Sequence, residues 1–231
     1  MRHLEELNEE QKKAVLHTEG PLLILAGAGA GKTRVIAHRI IHLIKNGAAP
    51  PEILAITFAN KAAREMKDRV ISLLKKDVGL NLPISFSEQP LVSTFHSLGV
   101  HIIRENAAKI NLRRNFTIFD RSDSLRVLRD SIKESFLDTK QWEPGRMLSL
   151  ISRFKGDGLS LEDYRGKATE NYLDRTLLVI WEKYENKLQA ENGLDFDDLL
   201  LRALWLLKND FAIREHYQKV WRYIHIDEYQ D

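Results

Sequence analysis

The sequence contains no cysteine among its 231 residues, which excludes disulfide bonds, thiolate metal sites and cysteine nucleophiles. It has no apolar run of about 18 residues or more, which excludes a transmembrane helix of ordinary length. The opening residues, Met1–Glu6, are mostly polar and do not form the apolar core of a signal peptide. These absences together predict a cytoplasmic protein that does not act at a membrane.

The overall composition is typical of a folded chain. Hydrophobic residues make up 43% of the sequence and charged residues 29%, so a disordered chain is not expected. A chain of this length forms one large domain or two modest ones, and either has enough residues to bury a substantial core.

Charge is unevenly distributed along the chain, although the net charge is only +2. Residues 34–76 carry nine Lys and Arg against three Asp and Glu, and residues 109–155 carry eleven against six. Residues 156–231 reverse the balance, with ten against sixteen. The basic stretches have two interpretations: solvated helix faces, or a nucleic-acid surface, since phosphate contacts need clustered Lys and Arg.

Apolar periodicity predicts an α/β fold with a helical insertion. Four short apolar runs predict buried parallel strands: Leu22–Ala26, Ile53–Phe58, Leu91–Phe95 and Tyr223–Ile226. Helical spacing at residues 36–44 and 63–74 places helices after the first two strands, as in an α/β layer. From about residue 106 to 193 the spacing is helical nearly throughout, which predicts an inserted helical subdomain.

The segment Ala26–Thr33 has the relaxed form of a phosphate-binding loop, with Ala where the strict pattern begins with Gly. Its glycines let backbone N–H groups turn toward phosphate oxygens, and a helix N-terminus adds partial positive charge. Lys32 is expected to reach the β- and γ-phosphates, and the Thr33 hydroxyl to ligate Mg²⁺. The alternative is a glycine-rich turn that caps a helix. The candidate nucleotide-binding residues here are Ala28, Gly29, Ala30, Gly31, Lys32, Thr33 and Arg34.

Two carboxylates follow the last predicted strand. Asp227 directly follows the apolar run and is expected to face Mg²⁺ beside Thr33. Glu228 is expected to orient or deprotonate the attacking water. Adjacent acids after a strand are also common in surface turns, but the phosphate-binding loop favours the metal site. The expected cofactors are therefore ATP and Mg²⁺.

Six segments of the sequence resemble the superfamily 1 DNA helicases of the UvrD/Rep/PcrA type. They occur in the family's order between residue 7 and residue 231, so the resemblance covers nearly the whole chain. The segments are Leu7–Val15, Ala26–Thr33, Ile56–Met66, Ser93–Ser97, Leu194–Leu200 and Asp227–Asp231.

The resemblance implies roles for individual residues. Gln11 would read the adenine edge, and Gln230 would sense the γ-phosphate, so that the implied catalytic residues are Lys32, Asp227, Glu228 and Gln230. The implied contacts to single-stranded DNA are Phe58, Asn60, Lys61, Thr94, Phe95, His96 and Phe196. For each Phe taken alone a place in the core is the other interpretation, and for His96 a structural role.

The resemblance also implies a fold and an activity. The fold would be a RecA-like P-loop NTPase, with helices on both faces of a parallel sheet. Residues 1–105 and 195–231 would form the first motor lobe, and residues 106–194 the inserted helical subdomain. The activity would be ATP-driven movement on single-stranded DNA in the 3′-to-5′ direction, with unwinding at single-strand/duplex junctions during repair or replication.

Two departures and two alternatives accompany the resemblance. Ala59 stands where relatives commonly carry Thr, which would remove a hydroxyl contact to DNA. The sequence stops at Asp231, so we expect a fragment that lacks the second motor lobe and hydrolyses ATP poorly alone. The alternatives are another phosphate-loop enzyme, such as a nucleotide or small-molecule kinase, and a nucleotide-gated DNA-binding module without chemistry.

Overall fold

The computed structural model describes residues 2–27, 29–78, 89–169 and 171–230, so the predicted phosphate contact Ala28 lies outside the described residues. The fold is mixed α/β with parallel sheets. Its helices are α1 (Arg2–Glu5), α2 (Glu9–Leu16), α3 (Lys32–Lys45), α4 (Asn60–Leu73), α5 (Phe95–Asn106), α6 (Arg121–Glu134), α7 (Pro144–Gly156), α8 (Leu161–Lys167), α9 (Tyr172–Ala190), α10 (Phe196–Asn209) and α11 (Phe211–Val220). Its strands are β1 (Ile53–Thr57), β2 (Leu91–Thr94), β3 (Thr117–Phe119), β4 (Gly193–Asp195) and β5 (Tyr223–Ile226).

The chain divides into two compact units. The first comprises Met1–Ser97 and Glu215–Asp231, and the second comprises Leu98–Arg214. The sequence placed the corresponding boundaries at 105/106 and 194/195. A methyl group at Gly99 of α5 would come within 2.4 Å of the Leu199 carbonyl oxygen of α10, so these two helices are tightly packed within the second unit.

A three-stranded parallel sheet lies in the first unit, with β1 between β2 and β5. Three of the four predicted strands are therefore present, two of them one residue shorter than predicted. Thr57 is aligned with Thr94, and Ile56 with Ile226. Because parallel strands end at the same edge, the residues that follow β1, β2 and β5 emerge together there.

The predicted strand Leu22–Ala26 is not formed, and this prediction is wrong. Among the described residues no strand pairs with this segment, and Leu23 and Leu25 are exposed. Only Ile24 packs inward, against a small cluster that includes Val15 and Val35. A short apolar run alone does not supply the neighbouring backbone that a strand needs for its hydrogen bonds.

The core of the first unit lies between α3, β1 and α4. Apolar residues at helical spacing on α3 and α4 meet the buried strand β1 in one cluster, which accounts for the two helices that the sequence predicted. The α3 helix ends as predicted at Gly47, whose backbone is left-handed with φ of 97°. Gly47 N–H donates to Ile44 O and Ala48 N–H to Leu43 O, which closes the helix.

The second unit is mainly helical, as the sequence predicted, and its core gathers around Trp181 of α9 with side chains from α6, α7 and α8. It also contains a sheet that the sequence did not predict, in which β3 and β4 pair in parallel. A methyl group at Gly193 would lie 2.1 Å from the Phe119 ring, so only glycine allows the two strands to approach this closely.

Among the residues that the structure describes, no helix is both long and apolar enough to cross a membrane.

Candidate functional site

In the first unit, two glycines shape the loop before α3 that the sequence predicts to bind phosphate, hereafter the phosphate-binding loop. Gly29 and Gly31 adopt left-handed backbone conformations, with φ of 76° and 85°, that other residues reach only with strain. Gly31 is the N-cap of α3, which begins at Lys32 without a side-chain cap. The first N–H groups of α3 therefore remain available at a helix N-terminus, where anions are stabilised.

The Lys32 side chain folds back over this loop. Its Nζ donates to Ala26 O at 3.2 Å and lies 3.5 Å from Gly27 O. The ammonium is thus held at the loop by two carbonyl oxygens, which are weaker partners than a phosphate. An anion that enters the loop would replace these neutral acceptors with a charged one.

Thr33 and Asp227 meet at the carboxyl edge of the sheet. The alignment of Ile56 with Ile226 places Asp227 beside the end of β1, and its N–H donates to Ile56 O at 2.8 Å. The Thr33 hydroxyl donates to Asp227 Oδ2 at 2.7 Å, and Asp227 is buried. These two residues stand 194 positions apart in the sequence and are joined only by the fold.

The Thr33 and Asp227 oxygens suit a magnesium ion. Both are hard oxygen donors, and ligands on neighbouring octahedral positions around Mg²⁺ stand about 2.9 Å apart. No group of three His, Asp or Glu residues that would hold a metal exists among residues 2–27, 29–78, 89–169 and 171–230. A magnesium ion at this pair would therefore take further oxygens from phosphate and water, as is usual for this ion.

Glu228 follows directly and has a constrained backbone. Its φ is 53°, a left-handed value that is uncommon outside glycine. Its N–H contacts Asp227 Oδ1 at 3.2 Å, and Gln230 donates its side-chain amide to Glu228 Oε2. The structure thus brings Asp227, Glu228 and Gln230 into one turn, and Glu228 lines the loop cavity described below.

Gln11 connects the N-terminal helices to the phosphate-binding loop. It forms a capping box with Asn8: Gln11 N–H donates to Asn8 Oδ1 at 2.9 Å, and Asn8 N–H donates to Gln11 Oε1 at 3.1 Å. Its amide nitrogen also donates to Ala30 O at 3.0 Å. The predicted adenine-reading residue therefore already touches the loop.

A cavity of about 240 Å³ opens beside the loop. Residues predicted from the sequence supply most of its lining, and α4 supplies Ala62, Glu65 and Arg69, which the sequence did not single out. These three share one helix face by their spacing.

Arg34 also lines the cavity, but its guanidinium is partly engaged elsewhere. Its Nη2 donates to Glu6 O at 2.8 Å and lies 3.1 Å from Glu6 Oε2. Lys76 pairs with the same carboxylate at 3.0 Å and holds the pKa of Glu6 below its usual value. The other two cations of the lining, Lys32 and Arg69, form no ion pair within the part of the chain that the structure describes.

Two aromatic residues emerge at the carboxyl edge of the same sheet. Phe58 and Phe95 each follow one of the aligned residues Thr57 and Thr94, so they leave neighbouring strands at the same level. Phe58 is 61% exposed and Phe95 36%, which argues against a core role for either. Exposed rings at one edge are suited to stacking against bases.

The other predicted DNA contacts of the first unit have mixed positions. Asn60 begins α4 and is exposed, and Lys61 follows it with a loose ion pair to Glu65 at 3.9 Å. Thr94 is buried, and its hydroxyl donates to Ser97 Oγ at 3.0 Å, so it shapes the turn into α5. His96 lies on the first turn of α5 and is half-buried.

Phe196 lies in the second unit, at the start of α10. It is 51% exposed, whereas Asp195 before it and Asp198 after it are both buried. The side chain of each acid accepts the backbone N–H of the other. Asp198 N–H donates to Asp195 Oδ1 at 2.8 Å, and Asp195 N–H donates to Asp198 Oδ2 at 3.4 Å. The structure therefore presents this ring at the surface from a capped helix end.

The family model described as the UvrD/REP helicase N-terminal domain matches residues 7–231. The chain is similar to the ATP-dependent DNA helicase PcrA of Leuconostoc citreum, with 42% identity over 226 residues, 97% of this chain and 29% of the relative. It is also similar to the ATP-dependent DNA helicase PcrA of Staphylococcus aureus (strain NCTC 8325 / PS 47). The identity is 42%, and the match covers 99% of this chain and 30% of the relative. The ATP-dependent DNA helicase PcrA of Bacillus subtilis (strain 168) is also 42% identical, and the match covers 97% of this chain and 29% of the relative. The chain thus spans less than a third of the length of these relatives.

Proposed function

The chain belongs to the UvrD/REP helicase N-terminal domain family, and on that basis we propose that it is the ATP- and DNA-binding part of an ATP-dependent DNA helicase. Such an enzyme would move 3′-to-5′ along single-stranded DNA and separate duplexes at single-strand/duplex junctions, in repair or replication. The observation that carries the proposal is the contact between Thr33 of the phosphate-binding loop and Asp227 at the sheet edge.

ATP would bind with its phosphates at the N-terminus of α3. Lys32 would contact the β- and γ-phosphates, the loop N–H groups of Gly29–Thr33 would surround the oxygens, and Arg69 would add a cation from α4. Gln11 would read the adenine edge from its place beside Ala30. Mg²⁺ would be held by Thr33 and Asp227, where it would neutralise charge on the phosphates.

Hydrolysis would use the turn that follows β5. Glu228 faces the cavity and would orient the attacking water and accept its proton. Gln230 donates to Glu228 and would hold that carboxylate in place until a γ-phosphate draws the amide away. Asp227 would hold the metal and Glu228 would serve the water, so the two neighbouring acids would have separate roles.

Single-stranded DNA would cross the edge where Phe58 and Phe95 emerge, with Asn60, Lys61, Thr94 and His96 near its backbone. The α4 helix would connect the DNA site to the ATP site. It begins two residues after Phe58, and its Glu65 and Arg69 line the nucleotide cavity. A shift of α4 on ATP binding or hydrolysis would therefore move the DNA contacts.

The fold proposed with this function is a RecA-like P-loop lobe. Residues 1–105 and 195–231 would belong to the motor lobe, and residues 106–194 would form its inserted subdomain. We place the protein in the cytoplasm, with single-stranded DNA and its junctions with duplex as partners.

The DNA-binding half of the proposal is tested by fluorescence anisotropy of a labelled oligodeoxythymidylate titrated with the 231-residue chain. Phe58→Ala should weaken binding by about 1–3 kcal/mol, because a stacked base loses its platform. Phe136→Ala is the matched control, since Phe136 is 98% exposed but lies outside every predicted DNA motif. Phe136→Ala should leave the affinity unchanged.

Salt separates electrostatic binding from other association. The logarithm of the affinity should fall by about 0.7 per phosphate contact for each tenfold rise in salt. A kinase acting on a small molecule would bind ATP but show no such DNA affinity. Salt-independent binding, or equal effects of the two Phe substitutions, would contradict the proposed DNA site.

A further inference from the structure

A lysine is buried in the second unit among three carboxylates. Lys155 of α7 has a side chain only 1% exposed, and its Nζ lies 2.7 Å from Glu185 Oε1 of α9. The same Nζ lies 2.8 Å from Asp195 Oδ2 and 2.9 Å from Asp198 Oδ1. One ammonium thus joins α7 and α9 to the end of β4 and the first turn of α10.

The remaining polar atoms of this cluster are largely satisfied. Tyr184 donates its hydroxyl to Asp195 Oδ2 at 3.0 Å, and Arg202 Nη2 lies 3.3 Å from Glu185 Oε2. Asp198 Oδ1 is paired with the ammonium as an ion pair but has no aligned hydrogen bond. Burying charges costs free energy unless they are paired in this way.

Two groups of the cluster, Asp198 and Lys155, have a raised pKa. Burial, with Asp195 and Glu185 nearby, raises the pKa of Asp198 to about 8. Although burial acts against it, the three carboxylates hold the pKa of Lys155 well above its usual value. The ammonium of Lys155 therefore keeps its charge at neutral pH although it is buried.

The two aspartates of this cluster are also the cap of α10. Asp195 Oδ1 accepts the N–H of Asp198, and Asp198 Oδ2 lies 3.4 Å from the N–H of Asp195. Lys155 contacts the second oxygen of Asp195 and the other oxygen of Asp198, so it holds both ends of the capping turn. Phe196 lies inside that turn, with its neighbours fixed and its own ring exposed.

We propose that Lys155 is a positioning residue for DNA binding, whose buried ammonium fixes the capping turn of α10 and so directs the Phe196 ring outward. This inference rests on the proposed DNA-binding function. Apolar side chains of similar volume often replace a buried ion group without loss of stability. An ammonium shared by three carboxylates instead fixes the position of each carboxylate. Because Asp195 and Asp198 flank Phe196, their fixed positions also fix the direction of its ring.

A double-mutant cycle on DNA affinity tests this positioning role in the 231-residue chain. The variants are Lys155→Met, Phe196→Ala and the double substitution, titrated against a labelled oligodeoxythymidylate below the melting temperature of each. Phe196→Ala should weaken binding about 5- to 140-fold if a base stacks on the ring. Lys155→Met should also weaken binding, and the double variant should bind as Phe196→Ala does.

Two further variants keep the result interpretable. Ile151→Val removes a methyl group from the fully buried core on the same helix, outside the cluster. It should lower the melting temperature without changing DNA affinity. Tyr184→Phe removes only the hydroxyl that binds Asp195, and it replaces Lys155→Met in the cycle if that variant does not fold.

The possible outcomes separate the inference from the function on which it rests. A coupling of about twofold or more between positions 155 and 196 supports the positioning role. Additive losses, or an unchanged affinity in Lys155→Met, would overturn it while leaving the DNA-binding function intact. No binding by the wild-type chain would overturn the proposed function and the positioning role together.

Discussion

Glu228 carries a backbone strain that glycine would avoid. Its φ of 53° is left-handed, and Glu228 lines the proposed nucleotide cavity, directly after Asp227 of the proposed metal pair Thr33 and Asp227. Strained conformations of this kind cluster at functional sites, where the side chain is needed despite the cost. We expect Glu228→Gln to keep the metal pair and nucleotide binding but to lower ATP turnover about 10²- to 10⁴-fold, the usual contribution of a general base.

The measurement is phosphate release by a full-length protein that contains this chain. Glu65→Gln is the matched control, because Glu65 lines the same cavity from α4 and has its own ion-pair partner, Lys61, at 3.9 Å. The control should retain turnover within a few-fold. Unchanged turnover in Glu228→Gln would remove Glu228 from the role of base.

At the scale of the element, two helices end in the same backbone motif, one with glycine and the other with a bulky aromatic residue at the left-handed position. After α3, Gly47 occupies the left-handed position; after α6, Phe136 occupies it with φ of 57°. The hydrogen bonds are equivalent, since Phe136 N–H donates to Lys133 O and Leu137 N–H to Ile132 O. This motif favours glycine because a side chain crowds the left-handed backbone.

We expect Phe136→Gly to stabilise the fold by about 0.5–1 kcal/mol, because the relief of strain exceeds the added entropy of the unfolded chain. The melting temperature should rise by about 1–4 °C. Gly47→Ala makes the opposite change in the matching motif and should lower it. Thermal unfolding followed by circular dichroism measures both, and a fall in the Phe136→Gly variant would disprove the strain argument.

The start of α10 should give the stability a pH dependence. The pKa of Asp198 is raised to about 8 by burial and by the nearby carboxylates, from an ordinary value of 3.8. Between these two values the folded protein holds a proton that the unfolded chain has lost. The contribution of Asp198 to stability is therefore largest below about pH 3.8 and is lost as the pH rises to about 8.

Asp198→Asn removes this titration while keeping a neutral side chain of the same shape. Its melting temperature relative to the wild type should increase steadily between pH 5 and pH 8 and then level off. The comparison is made by thermal unfolding at several pH values, with Asp197→Asn as the neighbouring control. A difference that does not vary with pH would show that Asp198 is ionised in the folded state throughout.

At the scale of the whole molecule, the sequence predicts those helices and strands whose apolar pattern is visible within their own residues. The buried strand β1 and the amphipathic helices α3 and α4 each show their period in the sequence, and the fold contains them. Leu22–Ala26 failed because an apolar run does not reveal whether another strand lies beside it. The strands β3 and β4 were missed because three residues are too few to show a period.

The candidate site was predictable where its residues have a fixed place in a motif. Asp227 was expected beside Thr33, and the sheet register is what brings them together. Arg69 was missed because its relevance depends on which face of α4 meets the cavity. Lys155 was missed because two of its partners, Glu185 and Asp195, lie 30 and 40 residues away, and only packing brings them to one ammonium.

The most direct test of the account is the binding of ATP to this chain, measured by titration calorimetry with Mg²⁺ present. The account predicts one bound nucleotide, and a loss of about 10- to 150-fold in affinity for Lys32→Ala, since a hydrogen bond to a charged group contributes about 1.5–3 kcal/mol. Lys13→Ala is the control, because Lys13 is an exposed lysine of the neighbouring helix α2 and should bind ATP as the wild type does. ATP binding that is absent from the wild type, or equally tight in Lys32→Ala, would contradict the assignment of this loop and sheet edge as the nucleotide site.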